Sequence, residues 1–116
     1  MNRFFSIILS FSFFVLHLAG KVDFNREIRP LLASKCYACH GPDEEGRKAK
    51  LRLDIREHAL GNDIIVPGVI EDSEFHYRIR SDDPDEIMPP PESHASLTKE
   101  EKDLLDQWIA DGAEYA

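Results

Sequence analysis

Cys36-Tyr37-Ala38-Cys39-His40 is the stretch on which the reading of this chain turns. Two thiols three residues apart are followed at once by an imidazole, the C-x-x-C-H pattern of covalent haem attachment. Each element has a chemical reason. Thiols at this spacing suit thioether bonds to the two vinyl groups of one haem. The adjacent imidazole then reaches the iron from the same side. Other chemistries share part of the pattern. C-x-x-C alone serves thiol–disulfide exchange, but that use wants a βαβ context, and no strands are expected before Cys36. Zinc would need a fourth ligand, for which His58, His76 and His94 are candidates. A structural disulfide across this interval closes too small a loop to restrict the unfolded chain much.

The residue on the far side of the iron decides the chemistry. A methionine there makes a high-potential electron carrier, a second histidine a lower-potential one, and an open position a ligand-binding site. Apart from Met1, the chain has one methionine, Met88, in Asp85-Glu86-Ile87-Met88-Pro89-Pro90-Pro91. A lone methionine is usually core filler. This one lies in a polar segment with no amphipathic pattern, and the three prolines restrict its backbone. Met88 is therefore the expected sixth ligand, with His76 as the alternative. Haem also carries two propionates. Bases concentrate at Arg47, Lys48, Lys50, Arg52 and Arg56. Arg52 or Arg56 is the expected propionate partner, since arginine pairs well with carboxylates; Arg47 and Lys48 read as part of a solvated loop.

Upstream, residues 1–20 read MNRFFSIILSFSFFVLHLAG. One positive charge, an apolar run from Phe4 to Leu18 and a small-residue end form the layout of a secretory signal peptide. The run is shorter than the roughly 20 residues that span a bilayer. Two expectations follow: a cleaved signal, or an uncleaved N-terminal anchor in the membrane. In both, residues 21–116 work outside the cytoplasm, in the periplasm or another extracytoplasmic compartment. Those residues hold 13 bases and 22 acids, which argues against nucleic-acid binding and suits docking to a redox partner with a basic surface. They also hold only 26 large apolar side chains. A domain of this size is marginal without a metal, disulfide or cofactor to supplement its core.

The elements around the motif read as helices. Phe24, Ile28, Leu31 and Leu32 recur on one helical face, with Asp23 as N-cap and Pro30 predicting a kink or a helix in two parts. Leu51-Arg52-Leu53-Asp54 alternates like a short extended stretch, and Ile55 to Leu60 reads as a helical turn stopped by Gly61. Ser73 reads as the N-cap of a helix over Glu74 to Arg80. Thr98-Lys99-Glu100-Glu101 is a capping box. It opens a helix with Leu97, Leu104, Leu105, Trp108 and Ile109 in one stripe, ended by Gly112.

The chain resembles a class I c-type cytochrome, specifically the Planctomycete-type cytochrome c domain. The resembling stretch runs from Val22 to about Tyr115. It is carried by Ile28-Arg29-Pro30-Leu31-Leu32, Cys36-Tyr37-Ala38-Cys39-His40-Gly41-Pro42-Asp43, Leu51-Arg52-Leu53-Asp54, Val66-Pro67-Gly68, Met88-Pro89-Pro90-Pro91 and Trp108-Ile109 with Gly112-Ala113. The resemblance implies an all-α cytochrome c-like fold: N- and C-terminal helices packed beside one covalent haem c, with long loops wrapping it. It implies attachment at Cys36 and Cys39, His40 as proximal ligand and Met88 as distal ligand. The implied function is single-electron transfer without catalysis. A haem sensor or minor peroxidase with a displaceable sixth ligand is the alternative, ahead of a thiol-redox or zinc module. In this family the domain usually begins a much larger exported protein, whereas this sequence ends just after it. A free-standing cytochrome, a truncated gene and the partner of a separately encoded enzyme are the three expectations.

Overall fold

The structure is a computed structural model that describes residues 21–116. The signal peptide or anchor read over residues 1–20 lies outside the described residues. About half of the described residues are helical and none is in a strand. No helix among them is long and apolar enough to cross a membrane.

The first element splits at its proline. A π-helical turn, Phe24–Ile28, runs into α1, Arg29–Lys35. Pro30 has no N–H to give back to the preceding turn, so it is tolerated only in the first turn of a new helix. That is where it sits. Asp23 caps the π turn through Arg26 N–H at 3.1 Å, while Glu27 accepts from Asp23 N–H at 2.8 Å. The expected kink is thus a change of helix type. The short helix α2, Tyr37–His40, follows one residue after α1.

Helix α3, Arg56–Ala59, and a 3₁₀ turn at Gly61–Asp63 lead towards α4, Glu74–Arg80, which buries Phe75 and Ile79. Ser73 stands at the N-cap position of α4 but does not cap it. Its fully buried hydroxyl accepts from Val66 N–H at 2.9 Å and donates to the Val69 carbonyl at 3.0 Å. The side chain closes the 66–69 turn against α4 instead. A Ser73→Ala chain leaves both groups without that partner. It is expected to lose about 1–2 kcal/mol of stability, read as a lower chemical-denaturation midpoint at unchanged slope.

The C-terminal helix α5, Lys99–Ala110, has the full capping box: Glu101 N–H donates to Thr98 Oγ1 at 3.1 Å and Thr98 N–H to Glu101 at 2.8 Å. Leu105, Trp108 and Ile109 are buried, while Leu104 is only half-buried. Gly112, at φ +112°, takes the left-handed turn that ends the helix. The π turn packs on α5, joined by rings: Phe24 stacks on Tyr115 at 4.4 Å and lies 5.9 Å from Trp108. Polar bonds complete the closure. Trp108 Nε1 donates to the Glu114 carbonyl and Tyr115 OH to the Leu53 carbonyl, at 2.9 and 2.7 Å. Arg56 donates to the Ala113 and Gly112 carbonyls. Arg56 is therefore a tie to the C-terminal segment, bound to its backbone carbonyls.

Candidate haem site

Cys36 sits between α1 and α2, its N–H bonded to the Leu32 carbonyl at 2.8 Å. The Cys36 carbonyl in turn accepts from Cys39 N–H at 3.2 Å and His40 N–H at 2.9 Å. One turn of helix thus fixes the spacing of the two thiols and the imidazole. The segment after it folds back over the motif. Lys48 N–H donates to the Cys39 carbonyl at 2.6 Å, and Leu53 N–H to the His40 carbonyl at 2.8 Å. Arg47 donates to the Gly41 and Pro42 carbonyls.

This wrapping sets the state of His40. Its Nδ1 lies 3.2 Å from the Lys48 carbonyl oxygen. A carbonyl only accepts, so Nδ1 carries the proton and Nε2 keeps its lone pair. Burial pushes the imidazole below its usual pKa, partly offset by that hydrogen bond, which favours the neutral ring a metal needs. Tight packing supports the same turn. A Cβ on Gly41 would strike the Tyr37 backbone, and one on Gly46 would come within 2.7 Å of the Ala38 carbonyl oxygen.

Met88 comes from a distant segment of the chain. Ile87 N–H bonds to the Asp83 carbonyl and Met88 N–H to the Arg78 carbonyl, both at 2.9 Å, which ties the proline segment to α4. Cys36, Cys39, His40 and Met88 all line one cavity of about 420 Å³. Leu51, Leu53, Ile64, Phe75 and Ile79 give it an apolar wall, and Lys35, Glu74 and Arg78 are its charged members. The volume falls within the roughly 300–1,000 Å³ typical of cofactor sites.

The family comparison begins at the same cysteine. Residues 36–92 match the family model of Planctomycete cytochrome C. The chain carries a Planctomycete-type cytochrome c domain. No curated protein and no solved structure matches the chain.

The matched stretch of this cytochrome c domain reaches from the first thiol to just past Met88, and so includes every cavity residue from Cys36 to Pro90. Not every candidate residue joins them. Arg52 lines no part of the cavity. Its guanidinium makes two bonds to Asp54, at 2.6 and 3.1 Å, and holds that carboxyl below the usual range. His76 is also elsewhere: its Nδ1 lies 2.8 Å from Asp106. The alternatives to haem find less in the geometry. Burial, with Cys39 adding to it, pushes the Cys36 thiol up to about 12, whereas exchange chemistry needs a readily formed thiolate. No cluster of three or more His, Cys, Asp or Glu side chains among the described residues is placed to hold a metal ion.

Several contributors escaped the sequence reading. Lys48 acts through its backbone, not its side chain, and no residue-type signal marks that. Gly41, directly after His40, was a usable signal of close approach. Asp106 reads as one more surface acid of α5, yet it is buried and bridges to α4 through His76 and Arg80, each at 2.8 Å.

Proposed function

We propose that this chain is an exported monohaem cytochrome c that transfers single electrons. Cys36 and Cys39 would attach haem c, and His40 and Met88 would supply the ligands to its iron. One observation carries the reading: two thiols, a neutral imidazole and a thioether from segments some 50 residues apart line a single apolar cavity. When bound, haem supplies an iron whose oxidation state is the only thing that changes. The protein residues do the rest. The Lys48 carbonyl orients His40, α4 and the prolines hold Met88, and the apolar wall excludes water. A thioether and an imidazole as the two ligands would favour reduced iron and so a high potential.

The test is expression with cytochrome maturation machinery, followed by mass spectrometry and absorption spectroscopy. A mass increase of one haem and a low-spin spectrum with a far-red sulfur-to-iron band are expected. Met88→Ala is expected to abolish that band, lower the potential and admit carbon monoxide. High-spin iron in the unaltered protein would instead make the chain a sensor or minor peroxidase. A chain without covalent haem would end the reading.

The partner in this proposal presents a basic surface. Asp82, Asp83, Asp85, Glu86 and Glu92 are all exposed on the segment that brings Met88 to the cavity. Such encounters are steered by charge. Electron transfer to a basic partner is expected to slow as salt rises, since the Debye length shrinks from about 30 Å at 0.01 M to about 10 Å at 0.1 M. A stopped-flow rate independent of ionic strength would remove the steering.

A further inference from the structure

A second cavity, of about 510 Å³, adjoins the first: Ala49, Leu51 and Ile64 line both. The two differ in chemistry. Cys36, Cys39, His40 and Met88 line only the first. The second is walled by Lys50, Glu57, His58 and Asn62. Lys50 and His58 take part in none of the ion pairs among the described residues. The backbone on both sides is strained. Ala49 and Lys50 have φ of 54° and 56°, and Asn62 and Asp63 have φ of 54° and 57°. Non-glycine residues rarely adopt this region, and such strain clusters at ligand clamps.

The chemistry of the bound group says what the polar cavity is for. The propionates of haem branch from the side of the ring away from its vinyl groups. With the vinyl side taken by Cys36 and Cys39, the carboxylates need another way out, lined by donors. Arg52 does not provide it, because it is held by Asp54 and lines neither cavity. We infer that the second cavity receives the haem carboxylates, with Lys50, His58 and Asn62 as their partners. This inference rests on the haem reading above. Glu57 lines the same cavity and Asp63 borders it on the chain, so two protein anions oppose the carboxylates. Their ionisation therefore depends on the neighbouring cation.

The experiment measures midpoint reduction potential against pH for the haem-loaded protein and for Lys50→Gln, His58→Gln and Arg52→Gln. The unaltered protein is expected to show a downward step as a carboxylate ionises. Lys50→Gln raises the midpoint of that step by about one pH unit, the shift produced by removing a nearby opposite charge, and lowers the potential at neutral pH. Arg52→Gln leaves the step in place, and the far-red band stays unchanged in all variants. The inference is overturned if Arg52→Gln moves the step while Lys50→Gln does not, or if no variant moves it. It is overturned equally if His58→Gln abolishes the step and Lys50→Gln leaves it, since the step then belongs to the imidazole. A protein that takes up no covalent haem overturns the haem reading itself, a result distinct from all of these.

Discussion

A chain with both Cys36 and Cys39 replaced by alanine is expected to show no cooperative thermal unfolding at 25 °C and above. The argument starts from the cavity. At about 24 cal/mol per Å³, leaving 420 Å³ empty costs on the order of 10 kcal/mol, an upper figure because the cavity opens to water. Domains of this kind have a total stability of roughly 5–15 kcal/mol. Its 26 large apolar side chains offer little reserve. Leu53, Phe75 and Ile79 are core residues and cavity walls at once, so their packing depends on what fills the space. A group bound only by the folded state adds its binding free energy to that state's stability. Circular dichroism melts of the double variant beside the haem-loaded protein make the comparison. A sharp transition in the double variant, near that of the loaded protein, would show that the polypeptide core suffices alone.

The second large effect is expected at Asp106. Its side chain is only 12% exposed and holds two partners on α4, the His76 ring and the Arg80 guanidinium. Removing one member of a buried pair costs about 3–5 kcal/mol. Arg80 is one-third exposed and keeps Asp103 at 2.7 Å, so Asp106→Ala is expected to fall below that range, at about 2–3 kcal/mol. The consequence extends to the cavity, because α4 supplies the Arg78 carbonyl that anchors Met88. Loosening α4 from α5 is expected to weaken the far-red sulfur band and admit carbon monoxide, with haem still attached at Cys36 and Cys39. Asp106→Asn keeps one acceptor and gives an intermediate result. Thr98→Ala serves as the control, since it removes the α5 cap, about 1 kcal/mol, without touching α4. An unchanged band in Asp106→Ala, at a temperature where the protein is folded, would show that Met88 is held without the α4–α5 link.

Much of the domain follows from local rules. The thiol and imidazole spacing of Cys36, Cys39 and His40, the Thr98–Glu101 box and the Leu105–Trp108–Ile109 stripe are relations within one or two helical turns. Residue type and interval alone express them. Pro30 likewise announced a break, because a missing N–H acts wherever the residue stands. The break takes the form of a π turn whose Phe24 docks against Trp108 and Tyr115, some 80 to 90 residues away, contacts that no local pattern reveals.

Choices among competing partners were settled only in three dimensions. Arg52 had several possible carboxylates, and the nearest, Asp54, took it. Ser73 had the residue type of a helix cap but met the Val66–Val69 turn first. His76 had the chemistry of a ligand but faced Asp106 across 30 residues of chain. Sequence alone singled out the thiols and imidazole with the chemistry to attach and ligate haem, because that chemistry resides in residue types at short intervals. The tertiary structure alone decided that Met88 lines the same cavity as His40, that the Lys48 carbonyl holds the His40 ring, and that a buried carboxylate ties the two supporting helices. Those contacts depend on where distant segments meet, and a sum of many weak packing terms sets that meeting, with no local signature in the chain.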